Sequence, residues 1–266
     1  MADKRQIVTL LTDFGTSDYF VSSVKGAIFC VNPNVELIDI THAIPPQDIF
    51  AGAFMLRNAY NIFPRFSIHM AIVDPTVGSA RRPIIVMTDS YNFIGPDNGI
   101  FSYIYQIEQV NRVVEIKAEH YYRSPVSSTF HARDIFAPVV GWLTKGVDPT
   151  KMGEVIEDYV KFNIPEPKEF GPNLIKGHVI HVDHFGNCVT NISENELTYE
   201  RMDQNKVLVI NNQQVRLFCT HYAECPDGQP CALFGSANLL EICIPKGSAA
   251  HTLGANRGTE VAIHFA

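Results

Sequence analysis

The sequence predicts an α/β amino-terminal domain built on a central, mostly parallel sheet, followed by a smaller all-β domain. Three observations lead there. Strand and helix patterns alternate through residues 1–160, and the strands are continuous apolar runs, as strands buried on both faces are. Residues 161–171 form a connector, inside a stretch that holds Pro149, Pro165, Pro167, Pro172 and a mixed run of charges. From 172 to 266 the pattern turns almost entirely to short strands.

Ile7–Leu11 reads as the first strand, ending at Thr12-Asp13-Phe14-Gly15, and Tyr19–Val31 carries a helical pattern. Val35–Ile40 is a second strand, followed by Thr41-His42 and a helix over Ile49–Tyr60. Ser67–Val73 is a third, and the loop from Asp74 to Arg82 leads into Pro83–Thr88 and Tyr91–Ile94, joined at Asp89-Ser90 as a hairpin. After Gly95-Pro96-Asp97-Asn98-Gly99 come an apolar helix and the strand Val113–Ile116. Ser127-Ser128-Thr129 offers capping groups to a helix that ends near Lys145-Gly146. In the second domain Leu174–Val182 alternates, and Lys206–Ile210 and Gln214–Phe218 flank Asn211-Asn212-Gln213 as a hairpin. Leu239–Ile244 and Val261–Phe265 complete the set.

Composition narrows the function. Twenty-one basic against 28 acidic residues give a net charge of −7 with no basic stripe, which excludes a phosphate-backbone partner. No run reaches the ~18–20 apolar residues of a membrane span. The apolar stretch at Ile7–Leu11 is short and soon meets Asp13, so it reads as a strand and not as a signal peptide. Six cysteines in a chain of this size read as reduced thiols of a cytoplasmic protein. Charged residues make up 18% of the chain, below the usual share of about a quarter, which predicts that part of the surface is covered by other subunits.

Polar residues gather where the strands of the first half stop: Asp13, Thr41-His42 and Asp74. In open α/β sheets the carboxyl ends of the strands form the ligand crevice. Asp74 and Arg81 share one loop, and His131 falls in the first turn of a helix, where the helix dipole keeps an imidazole neutral. The same three also read as an Asp-Pro turn, a surface arginine and a capping histidine. Asp13 can accept both hydroxyls of a ribose, or close a turn. Asp183-His184-Phe185-Gly186-Asn187 and Phe234-Gly235-Ser236-Ala237-Asn238 are polar turns of the second domain, and Tyr222 offers a flat face to a base.

Metal is not expected. His178, His181 and His184 stand three apart, a spacing that throws strand side chains to opposite faces. Cys219, Cys225 and Cys231 stand six apart with no C-x-x-C and read as buried thiols. P-loop, G-x-G-x-x-G and G-x-S-x-G patterns are absent from the sequence, so the common nucleotide and esterase chemistries lack support.

As an ordered set these segments resemble one family, the S-adenosyl-L-methionine hydroxide adenosyltransferases, relatives of fluorinase and chlorinase. The resemblance covers nearly the whole chain. It runs through Leu11-Thr12-Asp13-Phe14-Gly15, Asp39-Ile40-Thr41-His42, Val73-Asp74-Pro75-Thr76-Val77-Gly78 with Arg81, and Gly95-Pro96-Asp97-Asn98-Gly99. It continues in Thr129-Phe130-His131-Ala132-Arg133-Asp134 and in Asp183 with Phe185-Gly186-Asn187. The resemblance implies a barrel-like second domain and a homotrimer, with ligand held between the first domain of one subunit and the second of its neighbour. It implies a catalytic triad of Asp74, Arg81 and His131, a ribose-diol carboxylate at Asp13, and methionine-binding groups at Asp183 and Ser236. Asn187 would contact the adenine and Tyr222 would pack on it; no cofactor is implied. The chain departs from the family in Gly235-Ser236-Ala237 and in Ile244-Pro245-Lys246-Gly247-Ser248, where an asparagine is more usual.

Position 74 separates the branches of that family. The halogenases carry tyrosine where this chain has Asp74, and fluorinase a halide-binding serine where it has Ala132. A carboxylate repels a halide, so the resemblance implies hydrolysis of S-adenosyl-L-methionine to adenosine and L-methionine by water at the ribose C5′. Halide transfer giving 5′-chloro-adenosine, and a sensor that binds without turnover, are the alternatives.

Overall fold

The computed structural model describes residues 5–198, 201 and 204–266, so the sequence reading of residues 1–4 lies outside them. The chain divides into two compact units, Met1–Ile164 and Pro165–Ala266.

The first unit is built on a sheet of β1 (Gln6–Thr12), β2 (Val35–Thr41), β3 (Ile68–Ile72), β4 (Pro83–Thr88), β5 (Asn92–Pro96), β6 (Val110–Ile116) and β7 (Gly153–Ile156). Their order is β2-β1-β3-β5-β4-β6-β7. The first four in that order are parallel. The rest are antiparallel, because β4 and β5 are joined by a tight turn that reverses direction and β6 and β7 extend from β4. β1 lies between β2 and β3, and its side chains divide between faces. Val8 and Leu10 join Val24 and Ile28 of α1 (Phe20–Val31) and Val139 and Val140, which lie on a later helix. Each wholly buried aliphatic side chain contributes about 1.5–3 kcal/mol. α2 (Ile49–Ala59) starts at Asp48, whose side chain accepts the Ala51 N–H at 3.0 Å.

Two expected helices differ from the sequence reading. The apolar segment after Gly99 forms turns and only a short α3 (Ile104–Ile107), with Ile100, Phe101 and Tyr103 buried as core side chains. Ser127, Ser128 and Thr129 do not cap α4 (Ala137–Thr144). A π-helical turn, Ala132–Phe136, precedes it, and the Ser127 N–H donates to Asp134 at 2.9 Å. A side chain that reaches back from inside the helix has replaced the cap.

One buried group of this unit is ionisable and unused by any site. His69 on β3 is fully buried, with Nδ1 2.8 Å from Thr9 Oγ1 and its ring stacked on Phe93. Burial alone pushes its pKa down to about 3.

The second unit is a nearly closed, barrel-like arrangement. Its strands are β8 (Lys168–Glu169), β9 (Leu174–Val182), β10 (Cys188–Ser193), β11 (Lys206–Ile210), β12 (Gln213–Val215), β13 (Leu217–Phe218), β14 (Cys231–Phe234), β15 (Leu239–Cys243) and β16 (Glu260–Phe265). The path runs β12-β11-β16-β9-β10-β15-β14-β13, with β8 beside β9, and a short α5 (Ala249–Leu253) lies between β15 and β16. The β11–β12 hairpin turns on Asn211 and Asn212, both at positive φ (46° and 61°), the geometry of a two-residue turn that matches strand twist. The expected strand Gln214–Phe218 is two: β12 stays with β11, and after Arg216 the chain moves to pair in parallel with β14.

Candidate active site

Each parallel strand of the first unit ends at the same edge of the sheet, which is where Asp13, Thr41, Asp74 and Asp97 stand. β3 and β4 are not neighbours. The loop from Val73 to Arg82 therefore crosses the end of β5, where Pro83 pairs with Pro96. The Asn98 side chain donates to the Val73 carbonyl at 2.8 Å and pins the start of the crossing. Gly78 lies at φ +82° against the Ser128 carbonyl, at a distance that leaves no room for a Cβ. That close approach docks the loop on the segment leading to His131.

Arg81 is the hub of the result. Its Nε donates to both Asp74 oxygens at 3.1 and 2.9 Å, its Nη2 to Oδ2 at 2.5 Å, and the same Nη2 lies 2.9 Å from His131 Nδ1. The Arg81 and Asp74 side chains are 7% and 6% exposed. Phe136 of the π-helical turn supplies a ring face 5.4 Å from the guanidinium carbon. An arginine can only donate, so His131 Nδ1 must accept and the ring proton sits on Nε2. Burial first, and then the Arg81 cation, hold the imidazole below its ordinary pKa. The histidine is thus neutral as the sequence suggests, but its Nδ1 lone pair is already engaged.

Asp74 and His131 line a cavity of about 130 Å³ with Ala132 and Thr129, walled by Phe14, Phe20, Ile72, Val77 and Phe130. A pocket of this size and lining suits one small polar reactant among apolar walls. Asp134, fully buried two residues beyond Ala132, ties the start of this helix to Ser127. Burial raises its carboxyl, but hydrogen bonds from Arg133 and the Ser127 N–H outweigh that and hold it below the usual range. Asp13 lies apart from the lining of this cavity. Its Oδ2 accepts the Gln47 N–H at 2.8 Å, tying the turn after β1 to the loop after β2.

The second unit brings Asp183, Asn187, Tyr222 and Ser236 around one cavity of about 750 Å³. Asp183 closes its own turn: Oδ1 accepts the N–H groups of Phe185 and Asn187 at 2.9 and 2.8 Å, and Oδ2 accepts the Asn187 amide at 2.9 Å. Gly186, at φ +83°, sits so close to the Ser248 side chain that a Cβ would collide with it. Sequence reasoning missed Glu241. It is buried on β15, lines the cavity and accepts the Tyr222 hydroxyl at 2.7 Å. Burial pushes its carboxyl up. One acid inside the apolar run Leu239–Cys243 was its only signal. Phe185 and Tyr222, at 75% and 48% exposure, stand open at this cavity.

Known proteins resemble this chain along most of its length. The profile of the SAM hydroxide adenosyltransferase N-terminal domain matches residues 8–153, and that of the C-terminal domain matches residues 177–262. An (R)-S-adenosyl-L-methionine hydrolase from Methanocaldococcus jannaschii is 37% identical over 253 residues, 90% of this chain and 89% of that protein. One of the same name from Thermus thermophilus is 32% identical over 261 residues, 96% of this chain and 98% of that protein. Proteins named fluorinase match more distantly. The solved structure of an uncharacterized conserved protein from Thermotoga maritima superposes with a TM-score of 0.90 at 28% identity, covering 97% of this chain and 99% of that one.

Proposed function

The chain belongs to the SAM hydroxide adenosyltransferase family, and on that premise we propose that Asp74, Arg81 and His131 hold the water that splits S-adenosyl-L-methionine. The protein is a hydrolase of that substrate, giving adenosine and L-methionine. The observation that carries the residue assignment is the guanidinium fork binding Asp74 and His131 together at a small, largely apolar cavity.

The chemistry divides simply. The sulfonium leaves C5′ as a neutral thioether, so the leaving group needs neither an acid nor a metal. The nucleophile is the difficulty, since bulk water has a pKa near ~15.7. In the proposed step the water oxygen bonds to C5′ as the C5′–S bond breaks, and the bonding pair goes to sulfur. The water's proton passes to Asp74 and on to solvent. Arg81 stabilises negative charge as it develops on the oxygen, and the His131 Nε2–H fixes that oxygen's position. Apolar walls keep other water out and strengthen each of these interactions. Ala132 offers no hydroxyl to a halide, and Asp74 repels one.

Asp13 is assigned to the ribose hydroxyls, Asp183 and Ser236 to the methionine end, Asn187 to the adenine and Tyr222 to the face of that base. The relatives' names favour the (R) configuration at sulfur. Incubation of pure protein with each sulfonium epimer in ¹⁸O-water is expected to give adenosine and methionine in equal amounts, faster from the (R) form, with the label on the adenosine 5′-oxygen. Label in methionine, or binding with no product at high protein concentration, overturns the assignment. A 5′-chloro-adenosine that outpaces adenosine in chloride would establish halide transfer instead.

The second cavity carries exposed aromatic rings, Phe185 and Tyr222. These features and the low charged share support a homotrimer that closes each site with a neighbouring subunit. Light scattering is then expected to give three times the chain mass of 29.7 kDa, and an active monomer would exclude it. Among the described residues no helix is long and apolar enough to cross a membrane. Six free thiols support a reducing, cytoplasmic setting.

A further inference from the structure

Four of the six cysteines come together in the second unit, although they lie on four separate pieces of chain. Cys219 follows β13 and donates its N–H to the Ala232 carbonyl at 2.9 Å. Cys225 ends the 3₁₀ turn Tyr222–Glu224, and Cys231 opens β14 directly across from Cys243 on β15. The sulfurs of Cys219, Cys225 and Cys231 all lie within 4.8 Å of one another, and Cys243 Sγ is 3.9 Å from Cys225 Sγ. The four pack as one cluster with Leu233, and all are free thiols.

The spacing is that of a tetrahedral thiolate site. With Zn–S near 2.3 Å, the edges of a Cys₄ tetrahedron are about 3.8 Å. The Cys225–Cys243 separation already matches, and the sulfurs of Cys219 and Cys231 lie within 4.8 Å of Cys225 Sγ and of each other, no more than about 1 Å beyond that spacing. The same separation is nearly twice an S–S bond, which is about 2.05 Å. An apolar core has no need of four thiols on one point, since a valine or alanine fills the space without weak donors, of which Cys225 and Cys231 reach only the carbonyls of His221 and Gln229, at 4.0 and 3.7 Å, outside the cluster.

We propose that Cys219, Cys225, Cys231 and Cys243 bind one zinc ion in a closed structural site beneath the Tyr222 loop. Thiolate donors select a soft divalent ion, and four of them leave no open position for a substrate. The consequence is mechanical. Residues 219–230 contain one short 3₁₀ turn and no strand, yet they carry Tyr222 to its hydrogen bond with Glu241 at the wall of the larger cavity. A metal that joins Cys219 and Cys225, on either side of Tyr222, to β14 and β15 would hold that wall in place. The site is independent of the identity of the substrate.

The test uses the full chain, purified in reductant. Elemental analysis is expected to find about one zinc per chain. Cobalt(II) titrated into chelator-treated protein should give thiolate charge-transfer absorption that saturates at about one equivalent. Cys219→Ser, at the least buried of the four, should lower zinc to below about a tenth per chain, whereas Cys30→Ser, in the first unit, should leave it unchanged. Because the cobalt titration uses the unaltered chain, it decides the matter even if a variant fails to fold. Absence of both zinc and cobalt absorption in folded, reduced protein overturns the proposal, as does metal that survives Cys219→Ser.

Discussion

Replacing Arg81 with methionine is expected to lower turnover by about 10²–10³-fold, the scale of losing one charge-stabilising donor group at a reacting oxygen. The same change should destabilise the protein by about 3–5 kcal/mol, because it leaves the Asp74 carboxylate, 6% exposed, without its cation. Two effects from one residue call for a control that separates them. Asp74→Asn in the Arg81→Met background removes the unpaired charge, so denaturant midpoints should recover while turnover stays low. Arg81→Lys keeps the charge but loses the planar fork that meets Asp74 through Nε and Nη2 and His131 through Nη2, and should fall nearly as far. A folded Arg81→Met protein that retains turnover within about tenfold would move the chemistry away from this cavity.

Acid should destabilise the first unit through His69. Its pKa is held near 3 in the fold, against 6.5 for the unperturbed side chain. Between those values the unfolded chain binds a proton that the folded one refuses, so stability rises with pH across this window. The contribution is complete above about 6.5 and is lost as the pH falls, by about 3 kcal/mol at pH ~4.5 and about 4 kcal/mol near pH 3. Denaturant unfolding at about pH 7.5 and 4.5, at one fixed protein concentration, measures it. His69→Gln cannot titrate, and its loss between the two values should be smaller by about 3 kcal/mol. Equal losses in both proteins would show that His69 takes up its proton without unfolding.

The parallel half of the sheet was legible because burial on both faces writes itself as unbroken apolar runs, as in Ile7–Leu11 and Ser67–Val73. The ends of those runs were legible too, and the structure brings Asp13, Thr41 and Asp74, which stand there, to one edge of the sheet. Other features depend on partners distant in sequence. Nothing local in Thr129–Asp134 announces that Asp134 reaches back to the Ser127 N–H and opens the helix with a π-helical turn. Glu241 reads as an outward-facing strand residue until Tyr222 is seen to meet it. The thiols share this opacity: their spacing of six says nothing, and only the pairing of β14 with β15 and the return of the loop bring them to one point.

The crossing from Val73 to Arg82 has a consequence for how such a protein changes over generations. β4 lies on the far side of β5 from β3, two strand spacings or roughly 10 Å away, so the chain must make a bridge of this reach whatever it carries. Folding constrains the bridge at Gly78, where it touches Ser128, and at Val73, held by Asn98. Between these anchors and β4 ride Asp74 and Arg81, whose partners are mainly each other. A lineage can therefore exchange that pair, and with it the nucleophile the cavity accepts, while the sheet beneath keeps every one of its contacts. New reactivity here needs no new architecture, only a different passenger on a span that the strand order already requires.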